Sequence, residues 1–234
     1  MHAFAIKALL IGLALFLWQS PREAGYKDLS REAPNPIQNH KWNADPTCKA
    51  VGGVSGLGIG DPASPSLSLS VADLDTTRLR TGDSVTALLH IENAGKDSLW
   101  LPWTVDAELM ERPDAKGEFR YSEIGVYAAL TQQAHQADFY APVRLYGAPD
   151  VLGSMLELQP GHWAQLRIRF PLECKRSPNH CDHLTSAPAL LSFNLNESED
   201  TVTYEKCSIA RGSTRLHFAS SQTIKVDVEF PDGS

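Results

Sequence analysis

Between Thr81 and Gly95 the chain reads TGDSVTALLHIENAG, and the spacing of its apolar residues leaves few folds open. Val85, Ala87, Leu89 and Ile91 recur at every second position, and Ser84, Thr86 and His90 fill positions between them. Period two places the first set on one face of a strand. Gly82-Asp83 before the run and Asn93-Ala94-Gly95 after it supply turn residues, so the stretch predicts a half-buried strand with a turn at each end.

The same grammar continues to the end of the chain. Leu67, Leu69 and Val71 alternate, as do Val105, Ala107 and Leu109 after the apolar LWLPW at 99–103. Ile124, Val126, Ala128 and Leu130 alternate too, although IGVYAALTQQAHQ also reads as the start of a short helix; Val143 and Leu145 give a brief strand. Leu156 and Leu158 run into Gln159-Pro160-Gly161, a type II turn signal, and Ala164, Leu166, Ile168 and Phe170 follow, which predicts a hairpin. Leu191, Phe193 and Leu195, a run from Val202 to Ile209, and Ile224, Val226, Val228 and Phe230 complete the set. Roughly nine or ten turn-bounded strands and no long helical pattern predict an all-β sandwich or barrel. Alternation with one wet face predicts antiparallel pairing, since parallel strands read as continuous apolar runs. Residues 110–150 read as a loop-rich insertion between core strands.

The chain has 234 residues, 42% of them apolar, enough for one domain whose core needs no metal or disulfide merely to fold. Its net charge of −7, without a basic cluster, argues against nucleic acid and against an anionic membrane surface as partners. In MHAFAIKALLIGLALFLW, Lys7 precedes an apolar run from Ala8 to Trp18 that suits a secretory signal and is too short to span a bilayer. The expected organisation is a signal peptide or signal-anchor at 1–24, a Pro/Gly-rich arm or linker at 25–65, and a single domain at 66–231. Export to the periplasm or exterior follows, with membrane contact only through an N-terminal anchor.

The four cysteines, Cys48, Cys174, Cys181 and Cys207, fit an exported chain with two disulfides. Cys174–Cys181 would close the short KRSPNH loop and Cys48–Cys207 would pin the arm; Cys174–Cys207 with Cys48–Cys181 is the alternative. Strand, Gly82-Asp83 turn, strand, Asn93-Ala94-Gly95 turn and LWLPW from Leu67 to Trp103 resemble the first half of bacterial immunoglobulin-like or fibronectin-like envelope domains. The LQPG turn at 158–161 and the strand after it resemble the second half. The resemblance implies an antiparallel immunoglobulin-like β-sandwich and no particular activity.

Chemistry is sparse. CKRSPNHCDH offers Cys174, His180, Cys181 and His183 as weak metal candidates, but the spacing matches no zinc signature and a disulfide loop accounts for it. No cofactor is expected. Asp106, Glu108 and Glu111 read as the wet face of a strand, and Ser55 lacks a nucleophile-elbow frame. No catalytic residue is assigned. Trp100, Trp103, Trp163 and Tyr127 are candidate contact aromatics, since aromatic faces give large, specific contact area. The expected function is a non-catalytic envelope module that binds a protein or a glycan. A protease inhibitor presenting the Lys175-Arg176 loop and a periplasmic copper or zinc protein are the alternatives.

Overall fold

The computed structural model describes residues 22–36, 52–58, 66–110, 117–173, 181, 183–205 and 208–229, and they form an all-β structure. The strands in chain order are β1 (Glu23–Asp28), β2 (Gly52–Gly58), β3 (Leu67–Leu74), β4 (Arg78–Arg80), β5 (Ser84–Asn93), β6 (Leu99–Pro102) and β7 (Gly117–Gln132). They continue as β8 (His135–Tyr140), β9 (Leu145–Gly147), β10 (Met155–Leu158), β11 (Trp163–Pro171), β12 (Pro188–Glu205), β13 (Ser208–Ser220) and β14 (Ile224–Glu229).

Two large sheets and the two-stranded β6–β10 pair share one core. The smaller of the two large sheets runs β1-β11-β5-β3, and the larger runs β2-β13-β12-β14-β4, with β7 on the other side of β12 carrying β8 and β9. The alternations dictate what meets between them. Val85, Ala87, Leu89 and Ile91 of β5, with Ala164, Leu166, Ile168 and Phe170 of β11, cover one wall and are almost fully buried. Ile124, Val126, Ala128 and Leu130 of β7 oppose Leu191, Phe193 and Leu195 of β12 on the other. Phe170 and Phe193 touch across the gap, with ring centroids 5.1 Å apart. The opening run at 81–95 is the strand it predicts, and Gly82 takes φ +92°, a conformation that favours glycine. Asn93, fully buried, ends that strand: its Nδ2 donates to the carbonyls of Asp97 and Leu158, and its Oδ1 accepts from Gly95 N–H.

Several expectations need correction. Residues 110–150 are not a loop-rich insertion, because β7 pairs with β12 from Gly117 to Thr131 and supplies core residues. The helix option at 124–136 falls for the same reason: Gly125 and the alternating apolar residues fit a ladder. The expected Pro-Gly hairpin has the right turn and the wrong partners. His162 N–H donates to Gln159 C=O and Gly161 has φ +71°, yet β10 pairs with β6 while β11 pairs with β5. The turn therefore hands the chain from one sheet to another.

Val105, Ala107 and Leu109 do not form a strand. Thr104 Oγ1 accepts from Asp106 N–H and Asp106 Oδ1 from Glu108 N–H, which curls the chain into a 3₁₀ turn at Ala107–Met110. Asp106 is thus a cap and does not share a strand face with Glu108. The run Val202–Ile209 is the closing end of the β12–β13 hairpin. The pairing is mixed, since β1 joins β11, β2 joins β13 and β4 joins β14 in parallel. The first and second of these lie within, or overlap, the stretch read as an arm. β1 buries little and needs no alternation, so periodicity does not reveal it.

Candidate binding groove

The larger sheet has an outer face, and its residues follow from the parity that builds the core. With Ile124, Val126, Ala128 and Leu130 facing in, Phe119, Tyr121, Glu123, Gly125, Tyr127 and Ala129 face out. On β12 the outward set is Asn194, Asn196, Ser198 and Asp200, and the register sets Tyr127 opposite Asn194, Gly125 opposite Asn196 and Glu123 opposite Ser198. Phe218 of β13 stands opposite Asn196 on the far side, and Tyr140 of β8 stands opposite Tyr127.

One end of this face is covered. Phe119 and Tyr121 lie under Tyr146, Ala148 and Met110, and together they form a second, smaller apolar cluster. Tyr121 donates its hydroxyl to Asp200 Oδ2 at 2.8 Å. The segment after β1 is tied down beside it by Asn35, whose Nδ2 donates to the carbonyls of Val105 and Arg144 and whose Oδ1 accepts from Arg144 N–H. Tyr146 donates its hydroxyl to Asn35 C=O.

The other end is open. A cleft of about 600 Å³ runs between Pro34, Pro36, Pro142 and Tyr140, and a second hollow of about 200 Å³ continues over Gly125 to Asn196 and Phe218. Both are lined by Glu123, Tyr140, Ala141 and Arg144, so they adjoin, and Pro171 and Glu173 also line the first. Arg144 Nη1 donates to Glu123 Oε1, an ion pair that stands between the two hollows. Gly125 has nothing within 4 Å of where a Cβ would project, so its missing side chain is the depth of the floor. Tyr140 is 65% exposed and Phe218 47% exposed. The Tyr127 and Tyr140 rings are 5.3 Å apart and tilted by 36°. Asn196 Oδ1 is buried and accepts no hydrogen bond. A buried acceptor without a partner costs free energy until a donor reaches it.

Beneath this floor, on the inner face, Glu197 is 1% exposed and sits across from His217, with Oε2 and Nδ1 2.8 Å apart. Burial pushes the Glu197 carboxyl above its ordinary range, and the carboxylate hydrogen bond raises the His217 imidazole. The two groups hold one proton between them more firmly than either would in water.

The aromatics singled out in the sequence do not converge. Tyr127 lines the groove. Trp163 stands on the outer face of the smaller sheet, where its ring lies 4.5 Å from that of His90. Trp103 packs against the core, with the Lys27 ammonium 5.6 Å from its ring centroid, while Trp100 is 56% exposed on β6. Of the disulfide and metal candidates, Cys48, Cys174, His180 and Cys207 lie outside the described residues, as do Lys175 and Arg176. Cys181 is half-buried against the core and disulfide-bonded. His183 stacks on His135, with ring centroids 4.5 Å apart. Sequence reasoning missed Asn35, Glu123, Arg144 and Asn196. Parity along β7 and β12 carries Glu123 and Asn196; nothing local marks Asn35 or Arg144, whose meeting spans more than a hundred residues.

No helix among the described residues is long and apolar enough to cross a membrane. No protein-family model matches the chain, and no curated protein matches it. Among solved structures it is similar to Spo0M, a sporulation control protein from Bacillus subtilis, at 12% identity over 70% of this chain and 49% of that one, with a TM-score of 0.29. It is similar to AlkC, an alkylpurine DNA glycosylase from Pseudomonas fluorescens, at 8% identity over 66% of this chain and 32% of that one, with a TM-score of 0.30. AvmM, which catalyses macrocyclization in alchivemycin A biosynthesis, matches at 8% identity over 73% of this chain and 92% of that one, with a TM-score of 0.29. The chain thus spans about half of the first relative and a third of the second. Scores this low carry neither fold family nor activity across to this chain.

Proposed function

We propose that the protein is an exported, non-catalytic binding module of the cell envelope, built as an immunoglobulin-like β-sandwich and braced by disulfides, with Cys174–Cys181 and Cys48–Cys207 as the pairing. The observation that carries the binding role is the open groove on the outer face of the larger sheet, with Tyr140 and Phe218 exposed on its walls and Gly125 in its floor. Concave sites with aromatic walls and a few directed polar groups are where binding concentrates on such scaffolds. The leader-like run at 1–18 supports export.

Immobilised full-length protein should retain a component of an envelope extract across salt concentrations, and Gly125→Trp, which fills the floor, should release it. Equal retention by both forms, or none by either, ends the reading.

A further inference from the structure

We propose that the groove takes a neutral, hydroxyl-rich glycan, its pyranose rings laid along the hollow over Gly125; this rests on the binding-module reading above. Three features select that chemistry. The first is where the groove lies. It sits on the face of a sheet, and the β7–β12 and β12–β13 ladders consume the backbone N–H and C=O groups of its floor. A peptide that adds a strand needs an open edge. An occupant of this face meets side chains alone.

The second is charge. The carboxylate of Glu123 and the guanidinium of Arg144 satisfy each other at the boundary of the two hollows. They are the charged residues that line the hollow over Gly125, so that hollow offers no net charge for an anionic or cationic ligand to complement; Glu173 lines the outer cleft instead. A carboxylate oxygen and a guanidinium each take part in more than one hydrogen bond, which suits hydroxyls that both donate and accept.

The third is the combination of ring faces with an orphan acceptor. Tyr140 and Phe218 rise on opposite sides of Gly125, where the C–H face of a sugar ring can stack. Asn196 lines the hollow, and its Oδ1 is buried without a donor; a turn of the amide toward the hollow would let it accept from a ring hydroxyl. One flat apolar face and an equatorial rim of hydroxyls answer both demands at once.

Cellotetraose, maltotetraose, xylotetraose and chitotetraose, titrated into the full-length protein at millimolar concentration, form the test, read by calorimetry and by amide chemical shifts. At least one should bind and shift amides of β7 and β12. Tyr140→Ala should weaken it about tenfold and Asn196→Ala by a few-fold, while His90→Ala on the opposite sheet should leave it unchanged. Thermal melts identify any variant that has lost its fold. Binding that survives Tyr140→Ala and Gly125→Trp overturns the site. The absence of binding by all four overturns the glycan. If Gly125→Trp still abolishes retention of an extract component, the binding-module reading stands and its partner is a protein.

Discussion

Phe119 and Tyr121 differ from Gly125 and Tyr127 only by their position along one strand face. All four project from the outer side of β7. At the first pair the face is sealed by Tyr146, Ala148 and Met110. At the second it is open, and the boundary is the Glu123–Arg144 ion pair. The inner face changes at the same place. The main core ends at Ile124, and the next inward residue on β12 is Glu197, across from Ile124. A bulge in the β12–β13 pairing follows between Glu197 and Ser198. The apolar layer therefore crosses from the inner to the outer side of the sheet within one or two rows. The polar residues gathered there, Ser122, Glu197 and Ser198, mark the crossing. A sheet whose buried face switches in this way must leave part of its outer face uncovered beside the switch, and that part is the groove.

The sharpest way to break the comparison is to empty the covered end. Tyr121→Ala should cost about 3–5 kcal/mol in urea unfolding, as expected for a large buried ring. It also abandons the hydrogen bond to Asp200. Tyr127→Ala, on the same face of the same strand at the open end, should cost much less. Equal losses would show that the two ends are not packed differently.

Gly147 tests how tightly the cover fits. A Cβ there would collide with Met155 Sδ and would stand 2.7 Å from Ser154 C=O and 2.9 Å from Pro102 Cα. Gly147→Ala should destabilise by about 1–3 kcal/mol, an overpacking cost, measured by the same unfolding experiment. An unchanged midpoint would mean that β9 and β10 move apart freely.

The covered end was the less legible of the two in the sequence. Period two alone places Val85, Ala87, Leu89 and Ile91, and later Leu191, Phe193 and Leu195, in a core, and the structure has them there. The same rule fails at Val105, Ala107 and Leu109, where side-chain caps from Thr104 and Asp106 override it. It also reads residues 110–150 as an insertion, because outward Phe119 and Tyr121 are apolar where a wet face should be polar. Burial on alternate faces at the two ends of one strand blurs the alternation. The groove is half-visible: Tyr127 stands out, but Tyr140 and Asn196 come from other strands and Arg144 from the β8–β9 connection, and register across a sheet is not written locally. Turn chemistry at Gln159-Pro160-Gly161 fixed the bend without saying which sheet the chain would join.

The boundary row carries a pH dependence. Glu197 and His217 both have raised pKa values, so the folded state binds their proton more tightly than the unfolded chain does. Their contribution is present at low pH. It is lost as pH rises from Glu197's ordinary 4.5 through its raised value, and from His217's ordinary 6.5 through its raised value. Stability compared at about pH 5.5 and about pH 8.5 should fall by roughly 1 kcal/mol from this pair. Glu197→Gln keeps a side-chain acceptor for His217 and should flatten that slope. A slope unchanged in Glu197→Gln would place the titration elsewhere.

The smallest stability effect belongs to the open end, and it separates packing from binding. Gly125 has no neighbour where its Cβ would go, and it sits in the middle of a paired strand, where glycine is a poor choice on conformational grounds. Gly125→Thr should therefore leave the unfolding midpoint unchanged or raise it by about 0.5–1 kcal/mol, because a β-branched residue suits a strand better. The same methyl and hydroxyl would fill the floor between Tyr140 and Phe218. Stability that holds or rises while saccharide binding falls would show that this glycine is kept for what the groove admits. Loss of stability would instead mean that the floor is closed in solution, and the contrast between the two ends of β7 would disappear.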